Sequence, residues 1–322
     1  MNFLFTLLRS QLFTKLPYPE WDFHGQTVVI TGSNTGLGLE AARHIVRLGA
    51  EKVILAVRTI SKGEKAAESI IQTTHATRNV LEVWPLDLSD YESIKAFGAR
   101  LQRLDRLDAL IQNAGVLTNR FKLDEKYGLE SHIGINSVAA VLVGLVALPK
   151  LKETALKTGT PKFKEAEHEG SLFDVLSDEK LANMDDRYKV SKLLLHFATQ
   201  ELATRMPLSS ESNVIITDAT PGACESDLFR DDMSWLRGLF QSIALRVFAR
   251  TTEVGSRTLV HSVNPALEPE AHGRFLMNCK VVDDWETVTS ERGQNLRKRW
   301  IRELFARLES ISPGVTRILQ EN

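Results

Sequence analysis

The sequence predicts a doubly wound α/β fold with a parallel sheet, a Rossmann fold, in a single domain. From Gln26 onward, short β-branched runs alternate with longer stretches of helical periodicity, which is typical of a parallel sheet covered by helices. Length alone favours two domains, but no linker or break in composition divides the series. We expect an apolar segment over residues 1–21, the α/β domain over 22–285 and a helical extension over 286–322.

The first half of the chain alternates regularly. Each predicted strand is a short β-branched or aliphatic run, and each predicted helix repeats its apolar residues every three or four positions. The helix from Asp90 also begins with an acidic turn, which suits a helix N-terminus. In order, the elements are strand Thr27–Thr31, helix Gly36–Leu48, strand Lys52–Arg58, helix Ser61–Thr73, strand Val80–Leu88, helix Asp90–Leu104 and strand Leu107–Gln112.

The second half is less regular. A helical period over Gly134–Lys157 contains Pro149, which predicts a kink or an early stop. A second helix is expected over Arg187–Arg205, a strand over Asn213–Thr220 and a last strand over Gly273–Asn278.

One strand is missing from this pattern. Between the two long helices a doubly wound fold needs a buried β-branched strand, but Lys152–Asp186 is mostly polar. Its one apolar stretch, Leu172–Leu176, has Asp174 at its centre. The fifth strand is therefore predicted to be absent or degenerate.

Composition excludes several classes of protein. With 43% hydrophobic and 25% charged residues, the chain is neither disordered nor collagen-like. Forty basic against forty-one acidic residues give a net charge of -1, which argues against a nucleic-acid partner. Cys224 and Cys279 form neither a metal-ligand pattern nor a disulfide framework, so we expect no metal and a reducing, cytoplasmic compartment.

The N-terminal residues 1–13 are apolar, but Arg9 interrupts them and the run is too short to span a bilayer. They either pack on the domain or form a weak foot on a membrane surface. No later stretch is expected to cross a membrane.

The turn between the first strand and helix carries three glycines, Gly32, Gly36 and Gly38. Bare backbone and unpaired N–H groups at a helix N-terminus can hold a pyrophosphate, although any tight strand-to-helix turn can use glycines. Arg58, twenty residues beyond Gly38, ends the second strand. A guanidinium there suits the 2′-phosphate of NADP, where NAD would need an acidic residue; the alternative is a solvated arginine.

Polar groups end the next two strands. Asp87 follows the third strand and Asn113-Ala114-Gly115 follows the fourth, so both fall on the carboxyl edge where open α/β sheets bind ligands. Helix caps and turns use the same residue types.

Tyr188 and Lys192 lie four residues apart and share one helix face. A free phenol has a pKa of about 10, and a nearby ammonium favours its ionised form. The pair therefore predicts a proton donor and the group that lowers its pKa.

Together, Thr31-Gly-Ser-Asn-Thr-Gly-Leu-Gly38, Asp87-Leu88, Asn113-Ala-Gly115, Asn136, Tyr188-Lys-Val-Ser-Lys192 and Pro221-Gly222 resemble the short-chain dehydrogenase/reductase family. The resemblance covers about residues 22–278. It is greatest to the branch that is similar to retinol dehydrogenases and WW-domain oxidoreductases, and especially to its fungal members in secondary metabolism.

The resemblance implies roles for these residues. Tyr188 would exchange a proton with the reacting oxygen, Lys192 would hold the nicotinamide ribose, and Asn136 would anchor a water that relays protons to Lys192. Asp87 would contact the adenine, and Ser226 would replace the threonine usual near the carboxamide. The implied cofactor residues are Gly32, Ser33, Asn34, Gly36, Leu37, Gly38, Arg58, Asp87, Leu88, Asn113, Ala114, Gly115, Tyr188, Lys192, Pro221, Gly222 and Ser226.

The family's serine at the end of the fifth strand is not found. The pattern suggests that this strand and its serine are deleted between about Thr158 and Lys164, either by divergence or through an error in the gene prediction. The competing interpretation makes Leu172–Leu176 a substitute strand and Ser177 the hydroxyl donor, although Asp174 would be costly in a buried strand.

Two segments lie beyond the core motifs. Residues 223–250 mix apolar and charged side chains, which predicts either a helical lid over an apolar substrate or a helix packed on the domain. Ser290–Ser310 repeats apolar residues every fourth position, which favours docking on the domain or on a second subunit over a membrane helix.

The sequence thus favours an NADP(H)-dependent oxidoreductase that acts on a carbonyl or secondary alcohol of an apolar small molecule, with homo-oligomers possible. The alternative is a catalytically impaired cofactor-binding protein. A third possibility is a chain that does not fold stably.

Overall fold

The computed structural model describes residues 14–158, 173, 176–180, 182–209, 214–224 and 249–319. Four regions that carry predictions therefore lie wholly or mainly outside the described residues: the N-terminal 1–13, the expected deletion near 158–164, most of the expected lid at 223–250, and Ser226.

The predicted α/β fold is confirmed by a four-stranded parallel sheet in the order β3-β2-β1-β4. In its register, Val29 at the centre of β1 lies opposite Ile54 on one side and Leu110 on the other. The strands are β1 Thr27–Thr31, β2 Lys52–Val57, β3 Leu81–Pro85 and β4 Ala109–Ile111.

Helices cover both faces of this sheet. Along β1, Val28 and Ile30 face one apolar cluster and Val29 faces the other, as the alternation of side chains along a strand requires. Both clusters are fully buried at these positions. The first four helical elements are α1 Gly36–Arg47, α2 Ile60–Thr74, α3 Tyr91–Leu101 and α4, which begins at Ser131.

Helix α4 runs as Ser131–Ile133, a π-helical turn over Gly134–Ala139, and Ala140–Thr158. Of the kink or early stop predicted at Pro149, the stop is wrong, because the helix continues for more than two turns beyond it. Burial of the helix in the core outweighs the loss of the one backbone hydrogen bond that proline cannot donate.

By length and composition, α4 could cross a membrane, with a mean hydropathy of 1.9 over its best window. In the fold, 78% of that window is buried. Its apolar surface is therefore accounted for by packing in the core.

After α4 the sheet is interrupted. Helix α5 (Met184–Thr204) leads to a separate sheet in the order β7-β8-β9, formed by Asp218–Thr220, Phe275–Met277 and Lys280–Val282. Within the described part of the chain, no strand joins β4 to β7. The predicted absence of the fifth strand stays a prediction, because most of the segment concerned lies outside the described residues.

The remaining elements are a short hairpin and three helices that pack around the two sheets. A hairpin of β5 Leu123–Asp124 and β6 Leu129–Glu130 precedes α4, helix α6 (Thr252–His261) packs beside α1, and α7 (Glu286–Thr289) precedes α8 (Glu291–Ile311).

Helix α8 docks on its own domain, which is one of the alternatives that the sequence left open. Trp300, Leu304 and Leu308 are fully buried, and the Trp300 indole donates to the carbonyl of Leu194 in α5 at 2.8 Å.

The described part of the N-terminal segment also packs on the domain. The ring of Tyr18 lies under two guanidinium groups, those of Arg47 at 4.4 Å and Arg257 at 5.1 Å. The same arginines donate to the carbonyls of Pro19 and Leu16. Residues 16–19 are thereby fixed against α1 and α6.

Candidate active site

The carboxyl ends of four strands bring the predicted cofactor residues to one edge. Because the sheet order is β3-β2-β1-β4, Asp87, Arg58, Gly32 and Asn113 follow one another along that edge. The backbone N–H of Leu86 donates to the carbonyl of Val57 at 3.0 Å and so continues the pairing of β2 and β3 to this edge.

Asn113 fastens the glycine loop to the end of β4. Its side-chain amide donates to the carbonyls of Thr31 at 3.0 Å and Gly32 at 3.1 Å. The hydroxyl of Thr31 accepts in return from the backbone N–H groups of Asn113 and Ala114. Asn113 is therefore a structural strap of the loop, in addition to the cofactor role that the resemblance implies.

Two glycines of the loop are required by this packing. Gly32 has a φ of +65°, and a Cβ there would lie 2.9 Å from the Cα of Ala114. At Gly38 a Cβ would lie 2.5 Å from the amide nitrogen of Asn113 and 2.7 Å from the carbonyl oxygen of Gly32. Any side chain at either position would push the loop off β4.

The start of α1 fits a pyrophosphate. Its first turn carries no acidic residue. A Cβ built on Gly36 would meet nothing within 4 Å, so the backbone there faces open space. Exposed N–H groups and the positive end of the helix dipole can hold an anion at this place.

Helix α6 lies between the glycine loop and the turn at Pro221 and Gly222, the second predicted cofactor segment. A Cβ on Gly255 would lie 2.9 Å from Leu37 and 3.4 Å from Pro221, so these two residues meet over this glycine. Gly222 follows with a φ of +77°, and its N–H donates to the hydroxyl of Thr220. The glycine loop and the Pro221 turn thus lie close to each other beside α6.

The other predicted cofactor residues have simpler surroundings. Arg58 is exposed directly after β2. Asp87 accepts from the N–H and hydroxyl of Ser89, which forms a turn at the end of β3. Ser33 is buried with its hydroxyl on the carbonyl of Ile30, whereas Asn34 is partly exposed. Leu88 packs against the core.

Asn136 lies in the π-helical turn of α4, a local structure that is frequent at functional sites. Its amide exchanges two hydrogen bonds with the backbone of Val116, at 2.8 and 2.9 Å, and donates to the hydroxyl of Ser191. These bonds tie the end of β4, α4 and α5 together.

Tyr188 and Lys192 lie on α5 beside this junction. The ammonium of Lys192 is 5.8 Å from the centre of the Tyr188 ring, and a Cβ on Gly115 would lie 3.9 Å from it. The same Cβ would lie 3.0 Å from the amide oxygen of Asn136. Among the described residues, no side chain hydrogen-bonds the Tyr188 hydroxyl.

The expected lowering of the tyrosine pKa is not found in the protein alone. Burial raises the pKa of Tyr188, and burial lowers the pKa of Lys192, an effect that the charge of Asp218 opposes. No charge among the described residues offsets the loss of water at the phenol. The phenol is therefore protonated at neutral pH.

The interpretation of Leu172–Leu176 as a substitute strand is wrong, since Phe173 and Leu176 are helical. The N–H of Ser177 donates to the carbonyl of Phe173, which closes a helical turn. The hydroxyl of Ser177 accepts from the backbone N–H of Glu130 at 3.2 Å. A polar sequence with an internal aspartate favours this turn over a buried strand.

Sequence reasoning missed a buried pair beside Tyr188. Glu130 and His132 are fully buried, and a Glu130 oxygen lies 2.8 Å from Nδ1 of His132. Nε2 of His132 accepts from the N–H of Thr118, and the His132 ring meets the Tyr188 ring edge-on at 6.4 Å. In the sequence, the signal that could have indicated this pair is its position a few residues before Asn136.

Comparison with known proteins supports the same family. The sequence model of the short chain dehydrogenase family matches residues 26–237. The short chain dehydrogenase/reductase dmxR8 of Cryptosporiopsis sp. is 39% identical, over 98% of this chain and 99% of its own. The short chain dehydrogenase atnD of Emericella nidulans is 38% identical, over 83% and 88%.

Solved structures show the same fold. The NADPH-bound carbonyl reductase from chicken fatty liver superposes with a TM-score of 0.59, over 85% of this chain and all of the other, at 22% identity.

The alignment with dmxR8 extends over 337 positions, whereas 98% of 322 residues take part, so about 20 positions of the alignment have no residue from this chain. By its family match, its relatives and its fold, the chain belongs to the short-chain dehydrogenase/reductase family.

Proposed function

We propose that the protein is an NADP(H)-dependent oxidoreductase that interconverts a carbonyl group and a secondary alcohol on a largely apolar small molecule. The observation that carries this proposal is the meeting of Gly115, Asn136 and Lys192 beside the Tyr188 phenol. It supports a dinucleotide laid along the strand ends, with its reacting end at Tyr188.

The cofactor, when bound, supplies or accepts the hydride. The glycine loop and the start of α1 would hold its pyrophosphate, and Arg58 would pair with a 2′-phosphate. Asp87 would lie at the adenine, and the turn at Pro221 and Gly222 would border the nicotinamide. The chicken carbonyl reductase, named as NADPH-bound, is consistent with this preference.

The chain itself supplies the proton. Because burial raises the pKa of Tyr188, its hydroxyl is in the protonated form that carbonyl reduction consumes. Lys192 would hold the nicotinamide ribose, and its ammonium would stabilise the phenolate after proton transfer. Asn136 would fix the route by which Lys192 exchanges protons with water.

The apolar substrate, the cytoplasmic location and a place in fungal secondary metabolism are parts of the same proposal. They rest on the sequence pattern of residues 223–250, on the cysteine usage and on the resemblance to fungal relatives. From the sequence we also propose a homo-oligomer and a weak contact of residues 1–13 with a membrane surface.

Calorimetry and turnover with the same protein test the proposal. NADPH should bind at least tenfold more tightly than NADH, and Arg58→Glu should reverse that order. Tyr188→Phe should bind NADPH unchanged and lose ~10²-fold or more in turnover over a panel of ketones and alcohols. Tighter binding of NADH by the natural protein, or an active Tyr188→Phe variant, would contradict it.

A second candidate is a cofactor-binding protein with impaired catalysis. Among the described residues no strand lies between β4 and β7, which favours this candidate because the family's serine ends the strand expected there. Loss of one preorganised donor costs roughly 10²–10³-fold in rate. Tight NADPH binding without turnover across the panel would support this candidate over the first.

A further inference from the structure

The face of α5 that carries Tyr188 and Lys192 continues beyond them. His196 and Gln200 follow at the same spacing of four residues, so the four side chains lie in a row along the helix. The family resemblance assigns roles to the first two alone. The next two bind a pair of carboxylates.

His196 lies between Asp218 and Asp284. Its Nδ1 is 2.8 Å from a carboxylate oxygen of Asp218, and its Nε2 is 3.0 Å from one of Asp284. A neutral imidazole donates from one nitrogen alone, so two carboxylate partners require the imidazolium form. Burial by itself would lower the pKa of His196, but the hydrogen bonds and charges of both aspartates raise it.

Asp284, on the side of His196 away from Asp218, has further hydrogen-bond partners. The second oxygen of Asp284 accepts from the amide of Gln200 at 2.6 Å, and Arg297 reaches the same amide from α8. The ring of Trp285 stacks on His196, with centroids 5.6 Å apart and planes at 18°. His196 therefore has one fixed orientation, and it fixes the carboxylate of Asp218.

Asp218 begins β7, three residues before Pro221, and its charge acts on Lys192. In the described part of the chain, the titratable groups known to act on Lys192 are Tyr188, whose ring centre is 5.8 Å from the ammonium, and Asp218, through its charge. Those bonded to His196 are Asp218 and Asp284. Because His196 lies one helical turn from Lys192, its bond to Asp218 brings that carboxylate to the face of α5 that carries Lys192, where a negative charge favours the charged ammonium.

The geometry points to Asp218 as a positioning residue for Lys192, whose carboxylate, fixed by His196 and Asp284, keeps the ammonium charged beside Tyr188. This inference rests on the proposed function for its role in catalysis. Burying an imidazolium between two partly buried carboxylates is costly and packing alone does not require it, which is consistent with a role in setting charge.

The titration of Lys192 tests the inference without any substrate. In protein labelled with ¹³C at lysine Cε, the resonance absent from Lys192→Arg identifies Lys192, and its chemical shift is followed against pH. Asp218→Asn should move that titration down by about one pH unit or more. Asp283→Asn is the control, because Asp283 is 98% exposed and pairs with Arg274, and it should move nothing.

Two further variants complete the test. Asp284→Asn should move the titration less than Asp218→Asn does, because it acts through His196. Asp218→Glu keeps the charge and should restore the natural value, which also serves if Asp218→Asn does not fold. An unchanged Lys192 titration in folded Asp218→Asn, or no difference between Asp218→Glu and Asp218→Asn, would overturn the inference.

Kinetics then separates this inference from the proposed function. With an active substrate, the pH profile of kcat in Asp218→Asn should shift in the direction of the Lys192 titration, with KM for NADPH changed less than kcat. A chain that shows no turnover but a Lys192 titration that responds to Asp218 would contradict the proposed function and leave the charge-setting role in place.

Discussion

Asn113 shows how one side chain constrains the glycine loop. Its amide is held by the carbonyls of Thr31 and Gly32 and lies where a side chain on Gly38 would point. Position 38 therefore needs glycine to leave room for the Asn113 amide, besides any contact with a ligand.

We expect Gly38→Ala to weaken NADPH binding by tenfold or more, because the added methyl would lie 2.5 Å from the Asn113 amide and displace the loop. Isothermal titration calorimetry measures the loss. Gly134→Ala is the matched control, since its methyl would meet Leu129 at an ordinary 3.5 Å. Unchanged affinity in Gly38→Ala would mean that the loop can shift without cost.

His196 gives a pH dependence with a defined sign. Its pKa is raised above the unfolded value of about 6.5, so its contribution to stability is complete below that pH and is lost as the pH rises through the folded pKa. Each unit of the shift corresponds to ~1.4 kcal/mol.

The melting temperature of His196→Gln should therefore fall furthest below that of the natural protein near pH 6, and the difference should shrink toward pH 9. Thermal melts over this range measure it, and the other buried histidines cancel in the comparison. His75→Asn, at an exposed helix end, is the control. A difference that is constant or grows with pH would contradict the imidazolium.

At the scale of elements, α8 is fixed to the domain by one turn of its apolar face. Trp300 is fully buried, packs at a tilt against the ring of Phe173 and donates to the carbonyl of Leu194. Apolar residues at every fourth position predicted a helix over Ser290–Ser310, within one residue at each end of the observed Glu291–Ile311. The prediction succeeds because an amphipathic pattern is a local property of the sequence. Which surface it covers depends on α5.

Trp300→Ala should lower the free energy of unfolding by ~3–5 kcal/mol, since it opens a cavity and leaves a buried carbonyl without its donor. Urea denaturation measures this. Lys298→Ala, exposed two residues earlier, should change stability by less than ~0.5 kcal/mol. Equal effects of the two substitutions would show that α8 is not docked in solution.

Other elements were predicted poorly from the sequence. The turn between β8 and β9 places Asn278 and Cys279 at φ values of 58° and 59°, as a two-residue hairpin of type I′ requires. Cysteine is not a usual residue there, so the sequence predicted one strand and missed the second. Tertiary pairing with β7 decides this hairpin.

At the scale of the whole molecule, the described sheet is divided between β4 and β7. In the four-stranded part, β3 and β4 are both edges, and β4 would be interior if a strand followed it. Edge strands have fewer backbone partners and open more readily.

Hydrogen exchange tests this division. Amides of β4 should exchange at rates like those of β3 and faster than those of β1, and those of Asp218–Thr220 should also exchange faster than β1. The measurement is made on the whole chain by NMR or by mass spectrometry of fragments. Protection of β4 equal to that of β1 would mean that another segment covers its free edge.

The sequence by itself determined the first four strands, the helices between them and the order of the cofactor residues, because periodicity and strand-end motifs are local in the chain. The polar stretch Lys152–Asp186 also predicts that the fifth strand is absent or degenerate, because strands buried on both faces are mostly apolar. Tertiary structure alone decided that Asn113 straps the loop, that the Tyr188 pKa rises, and that His196 joins Asp218 to Asp284. Those facts depend on burial and on distances between side chains far apart in sequence, which no local pattern contains.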